Sequence, residues 1–257
     1  GSHGIKERQL KLIHSKSIAE DPTRIIRGAR YAARLNFQLA PNSLKQIKST
    51  LELWPWTWCN GENPIETPSA LGVRLRMELE LLLKEETWEQ ALQYLQDWGA
   101  LSILSKELQD DRTSIRRVRW AIKLGISPLT ALITGISNSS EISARLQFPK
   151  QQQKLLAETL ILQRLLSEIH LTSDHLKWSP SNWCKVIEDA NSHPDAIALL
   201  ICLKIPLWKP LLKWLKRWQG IKSPVSPTEL INKGWTPGPS LRNELKRLRY
   251  KQLDHFH

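Results

Sequence analysis

Glycine is scarce in this chain, 11 in 257 residues, and valine, threonine and tyrosine are few. Strands draw on β-branched and aromatic side chains, so little β-structure is expected. The three cysteines, Cys59, Cys184 and Cys202, show no paired spacing. That excludes a disulfide framework or a zinc site and fits reduced thiols in an intracellular, cytoplasmic protein. The histidines are scattered too, and His255 and His257 sit at a tail where fraying outweighs metal binding. The most apolar run, "AIALLICLKIPLW" at 196–208, is broken by Lys204 and Pro206. It is too short to span a bilayer and reads as a core helix, so no membrane partner is expected. There is no low-complexity tract to suggest disorder, and no fixed internal period to suggest a regular solenoid. Gly1-Ser2-His3 reads as a cloning remnant with no secretory leader after it.

What remains is helix. The segment "DPTRIIRGARYAARLNF" has Asp21 as an N-cap candidate and Pro22 at the first helical position. At about 100° per residue, Ile25, Ile26, Ala29, Ala32 and Ala33 share one face. Arg24, Arg27, Arg30 and Arg34 form a stripe beside it. Pro41 opens the next helix, a tryptophan-rich loop follows at 54–64, and helices are expected over 67–85 and 87–104 with a glycine stop between pieces. Further amphipathic pieces lie around 111–124, 127–135, 149–167, 181–190, 195–204 and 206–218. A last unit, 226–249, turns at Pro237-Gly238-Pro239. The expected fold is all-α, an elongated array of small helical modules.

The charge is uneven. Lys and Arg number 37 against 25 Asp and Glu, a net +12. Between Lys204 and Lys251 there are twelve basic residues and two acids, Glu229 and Glu244, so this segment alone carries +10. Concentrated positive charge favours a polyanion and predicts salt-sensitive binding; the competing reading is a solubilising basic face. Of the twelve tryptophans, Trp88, Trp98 and Trp120 lie in amphipathic helices and read as core. Trp214 and Trp218, among Lys213, Lys216 and Arg217, read either as core or as flanks of an RNA backbone. Trp54, Trp56 and Trp58 read as staples of their loop.

Asp21 and Arg24 are three residues apart at a helix start, so both can reach one side. A carboxylate only accepts hydrogen bonds and a guanidinium only donates them. Together they make an acceptor beside a donor. Cytosine and adenine each present an amino donor next to a ring-nitrogen acceptor; uracil and guanine put a carbonyl oxygen where the amino group would be. Such an edge would select C and A, because a wrong base leaves buried polar groups unpaired. Taken alone, the motif reads sooner as an Asp cap with a surface arginine stripe than as a base-reading edge.

The motif does not stand alone. "EDPTR" at 20–24, followed by Arg27, Arg30, Arg34 and Phe37, resembles the class II tRNA nucleotidyltransferase and bacterial poly(A) polymerase family, whose members add C and A, or A alone, to RNA 3′ ends without a nucleic-acid template. "LKLIHSKSIAEDPTR" is similar to the end of that family's catalytic head. "RLRMELELLL" (74–83), "ALQYLQDWGAL" (91–101) and "ELINKGWTPGPSLRNELKRLR" (229–249) resemble later helices and the tail. Asn36 stands where relatives usually have glycine, and Gly72 and Val73 where they often carry Ser or Glu. The family's head carries a Gly-Gly signature and an Asp-x-Asp pair that hold the triphosphate and Mg²⁺. Neither dipeptide pattern occurs in these 257 residues, and Asp110-Asp111 and Glu188-Asp189 are helix-end acids.

The resemblance implies a piece that begins just before the nucleotide-reading neck. Residues 1–19 would be the remnant plus the end of the head, 20–105 the neck, 106–195 the body and 196–257 a basic tail. Asp21 and Arg24 would read the base of CTP or ATP. Arg27, Arg30 and Arg34 would contact phosphate, brace Asp21, or both, with Arg27 and Arg30 the better candidates for bracing; Arg74 would support the site, and Glu20 the helix start. Lys213, Lys216, Arg217, Arg242, Lys246, Arg247 and Arg249 would grip tRNA. Mg²⁺ would belong to the head, so the chain alone would be inactive. The alternatives are a non-catalytic helical RNA-binding module and a helical protein-interaction scaffold.

Overall fold

The computed structural model describes residues 8–12, 14, 16–53, 69–172 and 174–255. The remnant residues, Cys59, His257 and the tryptophan loop with Trp54, Trp56 and Trp58 lie outside them. The chain forms two compact units, Gly1–Ala157 and Glu158–His257.

The first unit opens with β1 (Gln9–Leu10), α1 (Ser17–Glu20), α2 (Thr23–Leu35), β2 (Gln38–Leu39) and α3 (Pro41–Leu53). After the undescribed loop come α4 (Val73–Lys84), α5 (Trp88–Asp97), a 3₁₀ turn (Ala100–Ile103), α6 (Lys106–Asp110), α7 (Ser114–Leu124), α8 (Pro128–Ile133) and α9 (Ser139–Arg145). α10 (Lys150–Thr172) carries the chain into the second unit. β1 and β2 are parallel, with Gln9 opposite Gln38 and Leu10 opposite Leu39. This two-residue pair is the only strand pairing among the described residues, so the all-α expectation holds.

α2 is the axle of this unit. The face built from Ile25, Ile26, Ala29, Ala32 and Ala33 is buried as the spacing requires. It packs on α5 and α4, where Leu75, Leu79, Leu82, Leu92 and Leu95 are buried. Each such leucine contributes about 1.5–3 kcal/mol by leaving water. The small alanines let α2 approach its neighbours closely. Asn36 ends the helix in the left-handed region, φ 53°, and its N–H reaches the carbonyls of Ala32 and Ala33. Glycine favours that conformation most, and asparagine is the side chain that tolerates it best. The replacement of the family's glycine is therefore conformationally mild.

Two arginines close helix ends in the interior. Arg117, buried on α7, donates to the carbonyls of Ala131 and Leu132, both 2.7 Å away. Those are carbonyls of the last turn of α8, where the helix supplies few donors; the Ala131 carbonyl also takes the Thr134 amide at 3.3 Å. Arg145, equally buried, donates to Ile103 and Leu104. Burial pulls its pKa down to about 10, so it stays charged at neutral pH.

The second unit continues through a 3₁₀ turn (Asp174–Lys177), α11 (Pro180–Asp189), α12 (Pro194–Leu203), α13 (Trp208–Lys216), a second 3₁₀ turn (Trp218–Gly220), α14 (Pro227–Asn232) and α15 (Pro239–His255). α12 is buried from Ala196 through Cys202. It ends at Lys204, which takes the left-handed turn at φ 56°, so the apolar run is a core helix as expected. α14 begins on a capping box: Ser226 accepts from the Glu229 amide and Glu229 accepts from the Ser226 amide. Gly238 then supplies φ 153° in the Pro-Gly-Pro turn, a backbone state that side chains resist. α15 packs on α11 and α14.

Candidate functional site

Asp21 sits at the turn between α1 and α2, its side chain only 11% exposed. The local sequence explains its posture. Oδ1 accepts from the Thr23 amide at 3.1 Å and from the Thr23 hydroxyl at 2.5 Å, so the carboxylate covers the free N–H at the start of α2. Oδ2 accepts from Arg27 Nη2 at 3.2 Å, one turn along the same helix, and from Arg74 Nη2 at 2.8 Å, from α4. Burial by itself would push the acid up. The Thr23 hydroxyl, the Arg74 charge and the Thr23 amide outweigh it and hold Asp21 below the ordinary aspartate value of 3.8.

Arg24 is 39% exposed and faces other partners. Its Nη1 donates to the Ser17 carbonyl at 3.0 Å, to the Ser17 hydroxyl at 2.7 Å and to Glu20 Oε2 at 3.5 Å. Among the described residues the side chains of Asp21 and Arg24 are not bonded to each other; only the Arg24 amide meets the Asp21 carbonyl, at 3.1 Å. The acceptor–donor edge expected from sequence is therefore not standing open. Its two halves share a helix mouth, each held by its own set of protein groups.

The arginine stripe divides. Arg27 holds Asp21 and lies 3.6 Å from Glu78. Arg30, a candidate brace for Asp21, turns instead to Glu78 at 3.5 Å and Glu85 at 3.7 Å, and its Nε is buried without a hydrogen bond. The brace that sequence reasoning placed on Arg30 comes from Arg74. Arg30 and Arg34 both lie over the Tyr31 ring, at 5.3 and 5.1 Å. Glu20 stays exposed beside Arg24. Thr23 and Ser17 escaped the sequence reading. The Asp-x-Thr spacing at a helix start could have found Thr23, because it is the pattern of a local side-chain turn.

The chain contains the same local device twice. Asp111 Oδ1 accepts from the Thr113 amide and hydroxyl, both at 2.7 Å, and Oδ2 from Arg117 Nη1 at 2.5 Å. Burial again opposes ionisation, and Arg117 and Thr113 again win, so Asp111 is held low. Asp-x-Thr-x-x-x-Arg is common to both copies.

In the second unit the basic residues also divide. Lys213, Lys216, Arg217, Arg242, Lys246 and Arg247 are exposed. Lys213 lies 5.9 Å over the Trp218 ring, Lys246 is 3.3 Å from Asp189, and Arg247 pairs with Glu244 at 2.7 Å. Arg249 is different. It makes a two-pronged pair with Glu188, both bonds 2.7 Å, and donates further to the carbonyls of Ile221 and Trp218. Each of its three nitrogens donates to a protein group, which sets it apart from the exposed cations around it. Trp214 and Trp218 are buried, and the Trp214 indole donates to Glu188, so the core reading holds for both. Beside Arg249, residues 221–227 and α15 border a groove of about 670 Å³ with Lys222 and Lys246 on its wall.

No group of three or more His, Cys, Asp or Glu able to hold a metal occurs among the described residues, and Asp21 and Asp111 are both committed to arginine and threonine. The described residues do not fit a Mg²⁺ site. No described helix is long and apolar enough to cross a membrane.

No family model matches the chain. It is 36% identical over 104 residues to the CC-adding tRNA nucleotidyltransferase of Deinococcus radiodurans, covering 40% of this chain and 24% of that protein. Over that region the chain is similar to a tRNA nucleotidyltransferase. The multifunctional CCA protein of Neisseria gonorrhoeae is 33% identical over 94 residues, 37% of this chain and 20% of its own length. The matched region is thus a quarter or less of these curated relatives. The fold agrees over nearly the whole chain: the Thermotoga maritima CCA-adding enzyme complexed with tRNA superposes with a TM-score of 0.68 and 18% identity, over 99% of this chain and 62% of that one.

Proposed function

We propose that this chain is the neck, body and tail of a cytoplasmic tRNA 3′-end nucleotidyltransferase, which adds C, A or both from CTP and ATP. The neck, 20–105, reads the base through Asp21 and Arg24. The body, 106–195, spaces the neck from the tail, and the tail, 196–257, grips tRNA. One observation carries the reading. An acid and an arginine that can imitate a base edge sit at one helix mouth, in a chain similar over 104 residues to a CC-adding tRNA nucleotidyltransferase and folded like a CCA-adding enzyme. The acid is kept ionised, as an acceptor must be. The three side-chain hydrogen bonds of Arg24 among the described residues all come from Nη1, and the side chain is partly exposed, so its other guanidinium N–H groups remain to face a ring nitrogen. Backbone phosphates are the natural target of Lys213, Lys216, Arg217, Arg242, Lys246 and Arg247, because exposed cations bind them by releasing counterions.

Nucleotidyl transfer with Mg²⁺ would fall to a catalytic head, because neither a Gly-Gly nor an Asp-x-Asp pattern occurs in these 257 residues. The chain alone is expected to bind tRNA weakly and to add nothing. The test is to supply a catalytic head and offer each nucleotide in turn to tRNA ending before CCA. Incorporation of C or A by the joined protein supports the reading. Incorporation by the chain alone, or none by the joined protein, contradicts it.

A further inference from the structure

Asp21 has about four acceptor positions, as any carboxylate does, and all four are filled: two by Thr23, one by Arg27 and one by Arg74. A base that donates its amino group to Asp21 must therefore displace a donor. Resting on the base-reading role above, we infer that Arg74 is the donor that leaves, which makes it the specificity-setting residue of the site: it is exchanged for the amino group of C or A and for nothing that lacks one.

Three observations single it out. Thr23 and Arg27 belong to the turn and helix that Asp21 itself opens, whereas Arg74 comes from α4, 53 residues away. Arg74 is the most exposed of the three, at 50%, and Asp21 is the one hydrogen-bond partner of its side chain among the described residues. Arg27, at 36%, is also anchored by Glu78. The third observation is the second copy of the device. At Asp111 the carboxylate is held by Thr113 and Arg117, with no arginine from a distant element among the described residues. The threonine and the arginine six residues on are sufficient to hold an aspartate in this posture. Arg74 is thus an addition to a cage that is complete without it.

The consequence for selection is chemical. An amino group replaces the N–H of Arg74 on Oδ2 and leaves the carboxylate satisfied. A carbonyl oxygen cannot, so uracil or guanine would expel Arg74 and then face an unshielded carboxylate, or leave Arg74 in place and stay out.

The test is an NMR titration of the ¹⁵N-labelled chain with CTP and with UTP, following the arginine side-chain signals, in wild type and in Arg74→Gln. In wild type, CTP should shift the Arg74 Nε–H signal and UTP should not. Removing a partly exposed competitor should tighten CTP binding about two- to fivefold and leave UTP weak. Arg74→Lys, which keeps a cation within reach, should fall between the two. If Arg74→Gln weakens CTP binding or leaves it unchanged, Arg74 is a brace or a bystander and the inference is wrong. If wild type binds UTP as well as CTP, or Asp21→Asn keeps the CTP preference, the base-reading role itself falls, and this inference with it.

Discussion

Arg249→Ala separates scaffold from RNA-gripping surface in the tail. Arg249 makes four hydrogen bonds, two of them to a Glu188 carboxylate that is a quarter exposed, while Arg249 itself is 17% exposed. The substitution leaves two carbonyls with no protein donor from this side chain and Glu188 with only the Trp214 indole and nearby Lys246. Breaking a fully buried pair costs about 3–5 kcal/mol. Partial exposure admits water to the orphaned groups, so about 2–3 kcal/mol is expected here. The assay is urea denaturation followed by tryptophan fluorescence, because Trp214 and Trp218 lie in this cluster. The control is Arg247→Ala, whose own side chain is 63% exposed where it meets Glu244; it should move the midpoint much less. On tRNA the order reverses. Arg247→Ala should weaken binding, and Arg249→Ala should weaken it only to the extent that it unfolds the unit. A stable Arg249→Ala protein with markedly weaker tRNA binding would refute this division.

Other consequences are as direct. Asp111→Asn should destabilise the first unit by about 2–3 kcal/mol, since it strips the charge partner from buried Arg117; urea unfolding measures it. Asp21, Asp111 and Glu188 are all held below their ordinary values, so the unfolded chain binds more protons than the folded one as pH falls. Their stabilisation is complete above the ordinary carboxylate range and drains away as pH drops through about 4 and below, and Asp111→Asn should flatten that slope in a pH series of denaturation curves. The Cys184 thiol is pushed up to about 12 by burial and by nearby Glu188, so it should resist alkylation at pH 8 until urea unfolds the chain, as peptide mass mapping would show. Replacing Lys213, Lys216 and Arg242 together should make the plot of log affinity for tRNA against log salt shallower, by about 0.7–0.9 for each phosphate no longer neutralised.

What could be read from sequence was local. The buried face of α2 follows from period alone, and all five of its named residues are in the core. The apolar run at 196–208, the glycine stop at Gly99 and the Pro-Gly-Pro turn were legible because each obeys a rule of its own few residues. Short α6 and α9 were missed, since five and seven residues are too few to show a period. The strand pairing escaped for the same reason: two residues carry no alternation.

Partners across the chain were the harder part. The Asp21–Arg74 bond joins residues 53 apart, and nothing local distinguishes Arg74 from Arg30, which went to Glu78 and Glu85. Within α4, helical spacing would sooner have paired Arg74 with Glu78. Arg249 likewise reads as one more cation in a basic helix until Glu188, 61 residues away, is seen to claim it. Composition finds the charge; only packing decides which charges are spent.

Base selection by Asp21 is the claim on which the rest stands. Joined to a catalytic head, wild type and Asp21→Ala should be compared for incorporation of C, A, U and G on tRNA ending before CCA. A strong preference for C and A that collapses in Asp21→Ala is the predicted result; a variant that still prefers C and A over U and G would contradict it.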